Sequence, residues 1–521
     1  TQTVEMTDRP IKYSVLKVDE NNVPLAGVEL GLYSDKDCKN LIENWTTTQN
    51  AHVIEADLQN GNTYYVKELN TVKGYYLNDE VVSFKINTGS SLEQMNERTV
   101  VVENFGIHFY VEKRDEEGNR IAGATIQLKD ENGRVLTELV SSDADKVEIP
   151  KEFLDAGKAY TLHESMSVDG YYYPKDDITF TVPSTYGEAK KRKQESFVFT
   201  VVDTTIHYSV VKKDKDTGAY LSGVTLGLYD HADINVATDT PLIAWETTDE
   251  PYMLSDNFKL KAGATYYVKE IKSVDGYYLN TETVSFTVPN TVYDNTVMKV
   301  EYTNKKIEWH VRKVDDQGNL LTVNEQGQPF KLEIYDSNGT QDNTDDDVLL
   351  ATLVTDDAEY KAKGYFDVTK YTTLVGGIVY RVHEAEAADG YDKDTDKYVT
   401  LTYDGVNDTV ELTTVSDRPL NIHLKKVDEN GNLLSTYRGP DGIEQGFILA
   451  IYDRDLLNNG ASEDDALVAT VDTSSPEYVQ NGYADVSRYL NYSKNYICRE
   501  IGYPYGYYRA KDFEFTVNSL V

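Results

Sequence analysis

Tyr160-Thr-Leu-His-Glu164-Ser-Met-Ser-Val-Asp-Gly170-Tyr171 decides how this chain is read, because the chain spells it five times with variations. The other copies are Tyr64-Tyr-Val-Lys-Glu68 leading to Gly74-Tyr75, Tyr266-Tyr-Val-Lys-Glu270 to Gly276-Tyr277, Tyr380-Arg-Val-His-Glu384 to Gly390-Tyr391, and Tyr496-Ile-Cys-Arg-Glu500 to Gly506-Tyr507. Alternation predicts a strand in which Tyr64, Val66 and Glu68 share one face and Tyr65 and Lys67 the other. The Gly-Tyr pair marks a turn.

Working outward, an upstream phrase recurs as well: Tyr13-Ser-Val-Leu-Lys17-Val-Asp19, Val111-Glu-Lys113-Arg-Asp115, Tyr208-Ser-Val-Val-Lys212-Lys-Asp214, Val311-Arg-Lys313-Val-Asp315 and Leu424-Lys-Lys426-Val-Asp428. A closing phrase ends four units, at Asn104, Asp203, Asn304 and Asp417, each nine residues before the next Lys; Asp8 stands nine before Lys17. Linkers are therefore short, with little slack. Self-similarity at this period predicts an all-β tandem array of Ig-like sandwich domains. Residues 11–106, 107–205, 206–306 and 307–419 form four domains, and 420–521 a fifth without its final strand. Residues 1–10 read as the closing strand of a preceding or neighbouring domain.

Composition narrows the function. There are 88 Asp and Glu against 51 Lys and Arg, a formal net charge of -37. Nucleic acid is excluded as a partner, since phosphate contacts need clustered Lys and Arg. Insertion into a membrane is excluded because no apolar run is long enough to span. Two distant cysteines, Cys38 and Cys498, build no disulfide framework. Cys498 takes an inward apolar position and reads as a small core residue; Cys38 reads as an unpaired surface thiol. A start at Thr1 without Met fits a processed chain or an excerpt.

The Lys, Glu and Asn or Asp of the three phrases lie on the same strand faces as apolar residues two positions earlier. Ionisable groups do not belong in a core unless paired. Burial lowers the pKa of Lys, freeing a nucleophilic amine, and raises that of Glu, which then donates a hydrogen bond to a carbonyl. A neighbouring Asn or protonated Asp offers that carbonyl. In a dry core such a trio would join Lys to Asn or Asp as an amide, losing ammonia or water. Orientation alone supplies roughly 7–11 kcal/mol of such a barrier. The event happens once per site, so no turnover enzyme is expected.

These repeats resemble the Cna B-type (SpaA-like, prealbumin-like) domains of Gram-positive surface adhesins and pilins. The opening phrase is similar to the family's E-box, without the usual Ala-Pro before Gly-Tyr. Pro24-Leu-Ala-Gly-Val28 and Ile121-Ala-Gly-Ala124 match another family segment. The resemblance implies a prealbumin-like sandwich and the crosslinks Lys17–Asn104 with Glu68, Lys113–Asp203 with Glu164, Lys212–Asn304 with Glu270, and Lys313–Asp417 with Glu384. Lys213 and Lys425 neighbour Lys212 and Lys426, and spacing and parity favour Lys212 and Lys426. The location implied is the outer surface of a Gram-positive-type bacterium.

The fifth unit lacks an acceptor. In units one to four it follows Glu by 33 to 39 residues, which from Glu500 lies past Val521. Thr3-Val-Glu-Met-Thr-Asp8 has the parity of a closing strand with no domain before it. Either the chain is a window on a longer array, or the strand of one copy completes unit five of the next, bringing Asp8 to Lys426 and Glu500. The acidic loops at 336–347 and 453–465 read as solvated loops, since the first has Gln341 at the sixth position, where an EF-hand requires Gly. Tyr173-Pro-Lys-Asp follows a Gly-Tyr turn and is set aside as a sorting-type pilin motif. The histidines make no metal cluster, and no cofactor or metal is expected. Two functions stand: a structural stalk or filament whose partners are copies of itself or further repeats, and an adhesin that holds a host-surface ligand through its loops.

Overall fold

The computed structural model describes residues 2–6, 8–86, 97–292, 296–407 and 410–518. Strands dominate, joined by turns and a few helices of at most seven residues. Among the described residues no helix is long and apolar enough to cross a membrane. The chain forms two compact units: Thr1–Val210 with Met253–Tyr266 and Phe286–Val300, and Val211–Tyr252 with Tyr267–Ser285 and Glu301–Val521.

In the first unit, repeat one is a sandwich of two sheets. One orders His52–Val53, Tyr13–Asp19 and Arg98–Asn104; the other orders Leu41–Thr46, Glu29–Tyr33, Thr63–Asn70 and Val82–Lys85. Repeat two copies it, with Val147–Glu148, His108–Asp115 and Ser196–Asp203 facing Val135–Val140, Thr125–Asp130, Ala159–Met166 and Ile178–Thr181. The first and closing strands of each repeat run side by side and parallel, placing Lys17 opposite Val102 and Lys113 opposite Val201. Alternate apolar side chains fill the space between sheets, as Tyr64 and Val66 do with Val15, Leu30 and Val102.

In the second unit, repeat four pairs Trp309–Asp315 in parallel with Glu411–Pro419, with Lys313 opposite Val415. Its other sheet orders Val348–Val354, Lys331–Asp336, Val379–Glu386 and Lys397–Thr400. Within the same unit Thr225–Tyr229 of repeat three lies between Ile243–Glu246 and the strand bearing Glu270. Repeat five keeps the four-stranded sheet, Leu467–Asp472, Ile448–Asp453, Asn495–Gly502 and Phe513–Thr516. Its first phrase departs from the expectation of a full strand. Only His423–Leu424 is one, paired with Ala484–Asp485, and among the described residues no parallel neighbour lies on its other side. A strand without its neighbour loses half its ladder bonds, so regular structure ends before Lys426.

Candidate functional site

Lys and acceptor come from one sheet and Glu from the other, so the three meet across the core. In repeat one Lys17 Nζ lies 2.8 Å from Glu68 Oε2, both side chains nearly without solvent contact, and donates to Glu103 O at 2.9 Å. Asn104 Nδ2 donates to Glu68 Oε1 at 3.2 Å and to Thr71 Oγ1 at 3.1 Å. Repeat three repeats the arrangement within the second unit. Lys212 Nζ lies 2.8 Å from Glu270 Oε2 and 3.0 Å from Thr303 O, and Asn304 Nδ2 reaches Glu270 Oε1 at 3.0 Å and Ser273 Oγ at 3.3 Å. The Lys212 ammonium also sits 4.1 Å from the Tyr302 ring centroid. Lys213 points elsewhere, to exposed Glu301.

In repeats two and four the acceptor is a carboxyl. Lys113 Nζ contacts both Glu164 and Asp203, and Lys313 contacts Asp417 while lying 2.7 Å from Glu384. All these side chains are buried. Repeat five has two members of the trio: Lys426 Nζ is 3.1 Å from Glu500 Oε1, with its side chain 13% exposed against 0% for the other four lysines. Asp8 is exposed. Val4 and Met6 are 85% and 90% exposed, and residues 2–6 make no strand; Thr7, in the same segment, lies outside the described residues.

Burial sets the protonation. It is the largest cause lowering Lys17 and Lys212, the latter to about 8, against the pull of Glu68 and Glu270. Burial likewise raises Glu68 and Glu270. It raises Glu164 to about 7 and Glu384 to about 8, with the Asp203 and Asp417 charges pushing the same way, and raises both of those aspartates too. Two carboxyls and one ammonium in a dry site leave one acid protonated. The buried Oδ1 atoms of Asn104 and Asn304 find no hydrogen-bond donor among the described residues. Half a turn of either amide would present that oxygen to its Glu, an arrangement that needs the carboxyl protonated, as its raised pKa favours.

Two sets of contributing residues escaped the sequence reading. Thr71, Ser167 and Ser273, three positions after each Glu, hold the acceptor side chain with their hydroxyls. Repeat four has Ala387 there and instead turns the Asp394 backbone N–H onto Asp417 at 3.2 Å. The constant offset from Glu was a readable signal in three of five repeats. Cys498 is buried among apolar neighbours, and burial pushes its thiol up to about 11. His163 and His383 face outward and meet Asp177 and Asp396.

The SpaA prealbumin-like fold domain family matches residues 11–98, 108–195 and 207–306, more than half of the chain. The chain belongs to this SpaA family. Several solved structures are similar to it. The Bacillus anthracis TIE protein matches at 19% identity over 56% of this chain and 50% of that one, with a TM-score of 0.25, so the chain spans half the length of that protein. A streptococcal ancillary pilin matches at 16% identity over 57% and 99% of the two chains, TM-score 0.26. The shaft pilin SpaA of Lactobacillus rhamnosus GG matches at 13% identity over 38% and 98%, TM-score 0.20. Comparison with curated proteins finds no match. The SpaA-type fold thus rests on the family match and on the sandwiches themselves.

Proposed function

We propose that this SpaA-family chain is an extracellular structural stalk of a Gram-positive-type surface, its repeats stapled by amides between Lys17 and Asn104, Lys113 and Asp203, Lys212 and Asn304, and Lys313 and Asp417. The observation that carries the reading is a buried Lys bridged by Glu to an Asn or Asp on the neighbouring closing strand, four times over. Ion pairing alone is a poor reason to bury such groups, since desolvation offsets most of the attraction.

The step balances without any added reactant. The free amine of Lys attacks the acceptor Cγ, the protonated Glu hydrogen-bonds the oxygen that gains charge, and the proton released from nitrogen passes through the Glu to the leaving group. Asn expels ammonia and Asp expels water. Parallel first and last strands leave a repeat at opposite ends, so tension shears them past each other. An amide across that pair would carry the load in place of the ladder.

The reading extends to repeat five. Among the described residues no Asn or Asp joins Lys426 and Glu500 as in the other repeats, and Asp8-Arg9-Pro10 repeats the Asp417-Arg418-Pro419 that closes repeat four. Asp8 on the N-terminal segment of a second copy would complete the site, joining copies head to tail.

Intact mass under denaturing conditions tests both parts. Each bond removes about 17 Da at Asn or about 18 Da at Asp. A mass equal to the unmodified sequence would sink the staples, and a sample with no covalent multimers would sink the Lys426–Asp8 joint.

A further inference from the structure

The Gly-Tyr turns fasten each repeat to the one that follows. Gly74, Gly170, Gly276 and Gly390 give their N–H groups to the carbonyls of Leu154, Leu260, Leu374 and Leu490 at 2.6 to 2.8 Å. Each leucine stands six residues before the tyrosine that opens its repeat's Glu-bearing phrase. Just past the turn, Tyr76 is sunk in the core of repeat two beside Ile107 and Leu154, and Tyr278 in that of repeat four beside Ile307 and Leu374.

In repeats one and three the chain runs on from that tyrosine as Leu77-Asn78-Asp79-Glu80 and Leu279-Asn280-Thr281-Glu282, and the next repeat holds it a second time. Leu77 O accepts from Tyr186 N–H at 3.0 Å, and the Asp79 carboxylate accepts from Gly187 N–H at 2.9 Å and the Thr185 hydroxyl at 3.2 Å. Leu279 and Asn280 pair in parallel with Thr402 and Tyr403 of repeat four, and Thr281 N–H reaches Tyr403 O at 2.7 Å. Gly376 of repeat four gives its N–H to Tyr277 O at 2.9 Å, and a Cβ there would collide with the Leu279 backbone.

The asparagine inside each held segment, ten residues after Glu68 or Glu270, faces back into its own repeat. Asn78 and Asn280 are 4% and 0% exposed and donate through Nδ2 to Glu103 O and Thr303 O, each at 2.8 Å. Those carbonyls immediately precede the acceptors Asn104 and Asn304, and they also accept from Lys17 Nζ at 2.9 Å and Lys212 Nζ at 3.0 Å. An amine that donates to a carbonyl beside the acceptor keeps its lone pair free for the acceptor Cγ. Fixing the carbonyl therefore fixes the amine. The backbone N–H groups of Asn78 and Asn280 also act on the Glu68 and Glu270 carboxyls, opposing their upward shift.

The Asp acceptors are served differently. The position ten after Glu is Pro174 in repeat two and Asp394 in repeat four, and neither carries an amide side chain. Lys113 and Lys313 contact both carboxyls of their sites, so charge supplies what a neutral Asn acceptor cannot. Asp394 is held from within repeat four, by Ser416 N–H at 2.8 Å and Lys397 Nζ at 2.8 Å.

We infer that Asn78 and Asn280 are positioning residues for the crosslinks of repeats one and three, set in place by the repeat that follows, so that these two bonds wait for repeats two and four to fold and dock. The inference rests on the amide reading above and adds an order to it. A repeat with an Asn acceptor is stapled once its neighbour is in place, whereas a repeat with an Asp acceptor does not wait.

The test follows bond formation in the full chain from synthesis onward by peptide mapping, which reads each site separately. Asn280→Ala, and Gly376→Val in the neighbouring repeat, should each slow the Lys212–Asn304 bond by about tenfold or more while Lys313–Asp417 forms at its native rate. Persistence of the latter shows that repeat four still folds. The two substitutions together should slow repeat three no further than the slower one alone, because both act through the hydrogen bond from Asn280 to Thr303 O. Additive slowing, as from two independent packing defects, overturns the inference. So does a Lys212–Asn304 bond that forms at its native rate in either variant, or one that Gly376→Val slows only in step with Lys313–Asp417. In those cases the unaltered chain still carries its bonds and the amide reading stands. No bond at any of the four sites in the unaltered chain removes both.

Discussion

Lys17 and Asn104 stand on adjacent parallel strands, two register positions apart, and both reach the carboxyl of Glu68 from the opposite sheet. The strand pairing holds nucleophile and acceptor in place before any chemistry occurs. The carboxyl touches both, which is the geometry a proton shuttle needs.

Removing the shuttle should remove one bond and no other. Glu270→Ala is expected to leave Lys212 and Asn304 unjoined, so peptide mapping recovers both as free residues while the other three crosslinked peptides persist. A Lys212–Asn304 crosslinked peptide from this variant would show that Glu270 is dispensable.

The buried groups should set the pH window. Repeats two and four need two protons spread over Lys and two carboxyls; losing the second strands an ammonium between carboxylates. With Glu164 at about 7 and Glu384 at about 8, bond formation after refolding should be flat at lower pH and fall about tenfold per unit above those values. Repeat three shares a single proton between Lys212 and Glu270, and with Lys212 at about 8 its reaction should outlast that of repeat two and fall off alongside that of repeat four. The raised acids also tilt stability. Folded Glu384 keeps a proton that the unfolded chain sheds from about the ordinary glutamate value of 4.5, so unbonded repeat four is most stable below that and loses the contribution as pH climbs to about 8. Mass analysis after refolding at several pH values checks the order; equal loss in all four repeats would contradict it.

The staple should be visible in stability. Lys17→Met keeps an apolar stem in the core but cannot crosslink, and closing nearly the whole repeat is worth on the order of 4 kcal/mol. Chemical denaturation of repeat one should show a loss of that size. A change below about 1 kcal/mol would mean that the amide is absent or idle.

Repeats should also depend on their neighbours. Tyr278 belongs to repeat three by sequence but packs in the core of repeat four. Tyr278→Ala is expected to destabilise repeat four by about 3 kcal/mol, as aromatic deletions in cores do. Hydrogen exchange resolved by repeat reads this directly, and protection lost only in repeat three would refute it.

Much of this was legible in the chain. Alternation in Tyr64-Tyr-Val-Lys-Glu68 places Glu68 inward, and the strand buries Tyr64, Val66 and Glu68 while Tyr65 and Lys67 stay half-covered. Inward parity of Lys, Glu and Asn or Asp was equally readable, because side-chain direction in a strand is a local property with a period of two.

The sequence by itself determined the repeat, the strand faces and the residues of each trio, since these depend on spacing along one strand. Tertiary structure alone decided how Lys and acceptor come to be parallel neighbours, how Thr71, Ser167 and Ser273 hold the acceptor, and how a glycine turn bolts one repeat to the next. Those relationships join segments tens of residues apart, often through backbone N–H and C=O groups that every residue type carries, so they leave little trace in side-chain pattern. The leucine six positions before each tyrosine was there to read, but only the fold gives it a partner.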